Sequence, residues 1–376
     1  MNKNTFFLAL CALAVCTILS CTNDNTTDFS AWINGTTPSI NDTLYINYNG
    51  ATATVTGDAC SEVVINGADV TINSTTTANR VYVLSGSTTD GSLLVYRERQ
   101  FSIVLNGVSI INPDGPAINN QCGKALYIEC APDTENTLTD GTDYTPQDYD
   151  QKGTLFSEGQ IYFQGTGLLT VTGNYKNAIA SDDYITVEKD ANIVIKANGT
   201  NGLKANDGVF INGGILAVNV TSDGGRGIRS EGRTIIAGGV VTITTSGDCR
   251  IETIDGIRDT TSAAGIKSDS LFVMSAGELF INSSGDGGKG INCSDSIKFT
   301  GGVLEVNTTG SNDEGKPKAI KSDKAIVISG GSLKATCLKS WVCDNGNDVE
   351  DIEKRITIIG TPAVRTLKKR SVMIQY

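Results

Sequence analysis

The feature that most constrains this chain is a five-residue pattern that returns six times at a nearly fixed interval. It reads Ala178-Ile-Ala-Ser-Asp, Gly202-Leu-Lys-Ala-Asn, Gly227-Ile-Arg-Ser-Glu, Gly265-Ile-Lys-Ser-Asp, Gly290-Ile-Asn-Cys-Ser and Ala319-Ile-Lys-Ser-Asp. The spacings are 24, 25, 38, 25 and 29 residues. The longest holds an extra segment at 247–261 and the next a smaller one at 311–316, so the underlying unit is 24–25 residues. Thr154-Leu-Phe-Ser-Glu is a weaker copy 24 residues before Ala178. A unit of that size cannot bury its apolar face alone, but stacked copies bury a continuous interior.

The phase inside each unit identifies the kind of stack. Eleven residues after each anchor stands a small pair, as in Gly213-Gly214, Gly238-Gly239, Ala276-Gly277, Gly301-Gly302 and Gly330-Gly331. Apolar residues alternate at positions seven and nine (Val209/Ile211, Ile326/Ile328) and again at fourteen and sixteen (Leu216/Val218, Leu304/Val306). Period two marks strands with one face buried. Three short strands per unit with glycine corners predict an all-β chain, a parallel β-helix with coils of 24–25 residues. A propeller blade needs four strands and a longer period, so it does not fit. Frequent glycine (42) and scarce proline (7) agree with many tight corners. The β-helix is expected over 39–345, with 131–152 as a loop thrown out of the stack, 247–261 as an insertion and 346–376 as a C-terminal cap.

Residues 1–20 read as an export signal: Lys3, then an apolar run from Phe6 to Leu19 too short to span a bilayer. The run ends Ile18-Leu19-Ser20-Cys21, which resembles a bacterial lipobox, so Cys21 is the expected lipidation site and polar residues 21–38 the tether. The expected place is the bacterial cell envelope, at the outer membrane or cell surface, with contact to the membrane only through that lipid. The absence of histidine excludes Ser-His-Asp and Cys-His catalysis. A net charge of −11 gives no electrostatic match to nucleic acid. Of ten cysteines, seven lie beyond the signal and Cys21, and Cys122/Cys130 and Cys337/Cys343 are near enough in sequence to pair.

Several further motifs occur in a fixed order: Val83-Leu-Ser-Gly86, Val104-Leu-Asn-Gly-Val108, Gly115-Pro-Ala-Ile118, Glu135-Asn-Thr-Leu-Thr-Asp-Gly141, Gly165-Thr-Gly-Leu-Leu-Thr-Val171 and Gly173-Asn-Tyr-Lys-Asn-Ala-Ile179. With the Gly-Ile-Lys-Ser-Asp copies, the stretch from about Ser61 to Cys337 resembles the secreted bacterial carbohydrate-binding β-helix domains, which are similar in structure to family-nine pectate lyases. The resemblance implies a right-handed helix, extracellular display, calcium held by stacked acidic residues, and affinity for plant-type or acidic polysaccharides. The family usually carries Asp just before the anchor glycine. Here that column reads Asn177, Asn201, Arg226, Ala264, Lys289 and Lys318, and only Asp255-Gly256 in the insertion keeps the pair. Fewer carboxylates weaken the case for calcium.

Alternation turns the second and fourth anchor residues inward and the third and fifth to solvent. Lys204, Arg229, Lys267 and Lys321 then form an outward cationic column, with Asp182, Glu231, Asp269 and Asp323 in the column beside it. Stacked cations about 4.8 Å apart repel. Either the acidic column offsets them as a solvated lattice, or they bind the carboxylates of a uronic-acid polymer. Asp182, Asp183, Asp207, Asp223 and Asp286 are the candidate calcium ligands, with turn stabilisation as the competing role. Tyr144, Tyr149 and Tyr162 are the few aromatic candidates for sugar stacking, against a packing role. Three functions remain open: polysaccharide binding without cleavage by a surface lipoprotein, calcium-dependent polysaccharide lyase action with a Lys or Arg base, and an adhesive or structural solenoid. The anchoring expectation has a direct check by fractionation. Cys21→Ala should move the protein from the membrane to the soluble fraction, and unchanged membrane retention would contradict it.

Overall fold

A computed structural model describes residues 43–376 apart from 58, 59 and 348. The signal, Cys21 and the tether expected at 1–38 lie outside the described residues. The protein is an all-β right-handed parallel β-helix whose coils follow the repeat. Among the described residues no helix is long and apolar enough to cross a membrane.

Each coil has three faces. The anchor strands build the first face, within a 12-stranded sheet. They pair in parallel without slippage, Lys204 opposite Arg229, Arg229 opposite Lys267, Lys267 opposite Asn292 and Asn292 opposite Lys321. In Ala264–Ser268 the isoleucine and serine are buried while Lys267 is half-buried, which is the alternation the sequence requires. The second face holds short strands such as Gly208–Ile211 and Ile326–Ile328, and the third holds six-residue strands such as Ile215–Val220 and Val303–Thr308. The long strand Phe101–Asn112 pairs with Leu126–Cys130 of the second face and Glu135–Asp140 of the third, so hydrogen bonding joins the two into one 23-stranded sheet.

The interior is made of aliphatic columns. Ile211, Leu216, Ile228 and Val241 are at most 1% exposed, and each such side chain stabilises the fold by about 1.5–3 kcal/mol. Two small-residue columns make this packing possible. At the anchor, a Cβ on Gly227 would lie 2.3 Å from Ile243 Cγ2 and 2.6 Å from the carbonyl oxygen of Gly265 in the next coil. At the corner between second and third faces, Gly239 has φ of +80°, a conformation that costs a side-chain-bearing residue.

Three expectations need correction. Residues 135–140 are not loop but a third-face strand: Leu138 is fully buried, and Asn136 Oδ1 accepts from the amides of Gly107 (2.9 Å) and Val108 (3.0 Å). The polar composition that suggested a loop belongs to its outward and capping positions. Asp255-Gly256 is the tip of a protruding hairpin, Arg250–Ile254 with Ile257–Thr261, both tip residues having positive φ (52° and 78°). That is the chemistry of a two-residue hairpin turn, so the pair carries no trace of a metal column. All seven cysteines described are free thiols, six of them buried as small apolar fillers, and burial pushes the Cys130 thiol up to about 12.

Antiparallel pairs close both ends. Thr43–Asn49 folds against Thr52–Thr56, and Ser371–Gln375 lies antiparallel on the last third-face strand, Ser332–Cys337. Within the expected cap region, Thr357–Ile358 still belongs to the second face. An Ile211→Asp substitution would bury an unpaired carboxylate, at a cost of several kcal/mol. Thermal unfolding followed by circular dichroism should show a large drop in Tm; a parent-like melt would mean Ile211 does not face the interior.

Candidate functional site

The outward cations of the first face are not free. Lys204 Nζ lies 3.1 Å from Glu231 and 2.6 Å from Asn206 Oδ1. Arg229 Nη2 and Lys267 Nζ share Asp269, at 2.5 and 2.8 Å, and Lys321 pairs with Asp323 at 2.5 Å. Burial alone would raise the Asp269 carboxyl, but hydrogen bonds from Arg229 and Lys267 win and hold it below the ordinary carboxylate range. The geometry of this column is therefore the charge lattice, each cation answered by an acid one column away.

The five acidic candidates fall in three places. Asp182 takes Lys152 at 2.6 Å. Asp183 and Asp207 stand together on adjacent coils at the corner after the anchor strand; burial first, then the charge of Asp207, raise the Asp183 carboxyl. Asp223 and Asp286 sit at the opposite corner and accept backbone amides of the following coil, Asp248 N at 2.9 Å and Ser311 N at 2.9 Å. Asp248 accepts Asp286 N at 2.7 Å and Asp140 accepts Asn174 N at 2.6 Å, which extends the same ladder. These are turn-stabilising roles. Among the described residues no three His, Cys, Asp or Glu side chains converge as a metal would require, and two carboxylates fall short of calcium's six to eight oxygens.

A cleft of about 350 Å³ opens at that opposite corner, where the third face turns into the first. Lys152, Lys176, Lys204, Arg226 and Arg250 line it, with Asp223 as the sole acid among its lining residues. Lys152 is held by Asp150 and Asp182, Lys204 by Glu231, and Arg250 by Glu252. Lys176 donates instead to the Gln151 carbonyl (2.7 Å) and lies over the rings of Tyr144 and Tyr175. Arg226 makes no ion pair within 4 Å among the described residues, and its Nε is buried without a hydrogen-bond partner. Burial, with repulsion from Arg229 and Arg250, pulls its guanidinium down to about 10. A half-buried, unpaired guanidinium among other cations is costly and is relieved by an anion.

Only Lys204 and Asp223 of this cleft were singled out by sequence reasoning. Lys152, Lys176 and Arg250 come from corner loops and an insertion that the repeat does not phase. Arg226 had one visible signal: it stands in the column just before the anchor, where the usual acid is replaced. Asn177 and Asn201 fill the same column with an amide ladder (2.8 Å), and Asn201 accepts the Arg226 amide (3.2 Å). Farther along it, Lys289 and Lys318 are 9% and 6% exposed and donate to the hydroxyls of Ser262 and Ser340.

A family model described as carbohydrate-binding domain-containing protein matches residues 66–252 and 219–315, together more than half of the chain. The chain belongs to that carbohydrate-binding family. A relative of the same description from Acetivibrio thermocellus is 33% identical over 122 residues, 31% of this chain and 42% of the relative. The match thus spans under half the length of that relative. A solved structure, a gadolinium derivative of the polysaccharide lyase-like protein from C. thermocellum, superposes with a TM-score of 0.57 at 25% identity over 68% of this chain and 96% of the other.

One of the two buried lysines in this column, Lys289, gives a pH test. Burial, then repulsion from Lys321, lowers Lys289 from 10.5 to about 8. The unfolded chain therefore holds this proton to higher pH than the folded one, and stability rises between about pH 8 and 10.5. The gain is on the order of 3 kcal/mol. Lys289→Met should match or exceed the parent Tm at pH 7 and lose the parent's relative gain above pH 8. Parallel Tm curves for the two proteins would show that Lys289 is not buried as a charge.

Proposed function

We propose that this chain is a cell-surface lipoprotein that binds an acidic polysaccharide, without cleaving it, through the Arg226 cleft. The single observation that carries this reading is the unpaired, partly buried Arg226 guanidinium in a cleft with five cations to one acid. A uronate carboxylate matches the planar donor fork of arginine, and Lys176 and Lys204 are placed to take neighbouring carboxylates of the same polymer. Family membership and the lyase-like neighbour support a polysaccharide as partner. Arg229, Lys267 and Lys321 serve mainly to balance the acidic column. Anchoring through Cys21 would display the cleft outside the cell.

The cleft already supplies cationic charge, so a uronate bound there needs no bridging metal. Cleavage by β-elimination is the second reading, favoured by the lyase-like neighbour. It would need a free base at the glycan, whereas Lys204, Arg229 and Lys267 are each engaged in an ion pair.

Affinity electrophoresis in gels containing polygalacturonate tests the proposal. Arg226→Gln combined with Lys176→Gln should weaken retention by about tenfold to a hundredfold, as expected for lost charge-assisted hydrogen bonds. Retention of the parent should fall with salt and persist in EDTA, and no unsaturated product should absorb in the ultraviolet. Lys267→Gln with Lys321→Gln should bind like the parent. Undiminished binding by the Arg226 variant, or unsaturated product, would overturn the reading.

A further inference from the structure

The second face carries a feature that the sequence did not disclose. Tyr127, Tyr162, Tyr184 and Phe210 come from four successive coils and are separated by 35, 22 and 26 residues, so no short motif joins them. Parallel pairing brings them together: Tyr162 stands opposite Tyr127, Thr186 of the next coil stands opposite both Tyr162 and Phe210, and Tyr184 lies two residues to one side of Thr186. Tyr127 and Tyr162 stack with centroids 4.9 Å apart and planes within 13°. Tyr184 is turned about 90° from both flanking rings, 5.8 Å from Tyr162 and 5.7 Å from Phe210. Its hydroxyl meets that of Tyr162. All four rings are half-buried on the outward side of their strands. The exposed Arg233 guanidinium lies 5.3 Å over Phe210 and closes the run at that end.

Packing does not account for the arrangement, because the interior of these strands is already filled by Leu126, Ile161, Ile185 and Val209 from the other side. Neither ring neighbour lies parallel to Tyr184, so neither stacks over its face. The stripe spans three coil steps, about 14 Å, along the helix axis. Its surroundings are acidic: Glu129 shares a strand with Tyr127, Glu188 follows the strand of Tyr184, and Asp183 and Asp207 stand at its edge. These carboxylates repel a polyuronate and accept hydrogen bonds from hydroxyls.

We infer that the second face is a separate binding site for a neutral polysaccharide, whose pyranose rings lie along Tyr127, Tyr162, Tyr184 and Phe210 while their hydroxyls donate to the flanking carboxylates. Tyr184, which no ring stacks over, offers an apolar surface to the C–H face of a sugar, the half-buried rims of the other rings extend that surface along the chain, and tyrosine adds a polar tip. A stripe that advances by about 4.8 Å per coil suits a repeating linear chain better than a compact ligand. The two sites then sort glycans by charge: anionic chains at the Arg226 corner, uncharged chains on the second face. The inference rests on the carbohydrate-binding reading of the family but not on the Arg226 cleft.

Titration calorimetry with neutral hexasaccharides of glucose, mannose and xylose, and with trigalacturonate as the anionic control, tests it. Tyr162→Leu with Tyr184→Leu should weaken binding of the preferred neutral hexasaccharide at least tenfold and leave trigalacturonate unchanged. Arg226→Gln should do the reverse. A parent that binds the neutral hexasaccharide but not trigalacturonate would count against the cleft and leave this site standing. Should the double variant fail to fold, tyrosine nitration of the parent, mapped by mass spectrometry, gives the same answer. The neutral hexasaccharide should protect Tyr127 and Tyr184, and trigalacturonate should not. A parent that binds no neutral hexasaccharide, or a folded double variant that binds it as well as the parent, would overturn the inference.

Discussion

Every other property of this molecule depends on the hydrogen bonding of one coil to the next. A coil has few bonds within itself, and its amides and carbonyls are satisfied by the coils on either side in unbroken register. Each side chain therefore stands on its counterpart at about 4.8 Å, and a residue type suits a position only if it tolerates its own column. Aliphatic columns fill the interior. Like charges stacked on the surface require an opposite column, which is why Arg229 and Lys267 converge on Asp269. The same rule makes the corner aspartates a ladder, each accepting an amide from the following coil.

Register also explains where function can reside. Positions that satisfy the column rule neutralise themselves, as the Lys204–Lys321 column does with its acids. Sites arise where the rule is broken. Arg226 interrupts an asparagine ladder, and loops at 150–152 and 174–176 and the hairpin at 250–261 bring further cations beside it. The aromatic stripe also departs from strict register: Tyr127, Tyr162 and Phe210 share a column with Thr186, Tyr184 stands two residues to one side of it, and apolar surface is left exposed on four coils.

The fold was largely legible in the sequence because its determinants are periodic. Anchor isoleucines, small corner pairs and alternating strands repeat at one interval, and each falls where the pattern requires. What misled is local composition. Glu135–Asp140 is polar because Asn136 caps two amides and Thr137 and Thr139 face outward, and only Leu138 announces a strand. Asp255-Gly256 resembled a remnant of a metal column and is a hairpin tip. The site was legible only in part, because its residues are neighbours across coils and not along the chain. Lys204 lay in a counted column, whereas Lys152 and Lys176 belong to loops and Arg250 to the inserted hairpin, whose positions follow from three-dimensional stacking. The stripe was invisible for the same reason: Tyr162 could be named, but its partners lie 22 and more residues away.

The central claim is that the corner around Arg226 receives the anionic glycan. Hydrogen–deuterium exchange of the intact protein with and without trigalacturonate tests this most directly, since it locates a ligand without altering the chain. The account predicts slowed exchange in peptides covering 174–177, 200–204 and 222–226 and in the 250–261 hairpin, with little change at 184–187 or 208–211. Protection centred on the second face, or on the Arg229–Lys267–Lys321 column with the corner unchanged, would contradict it.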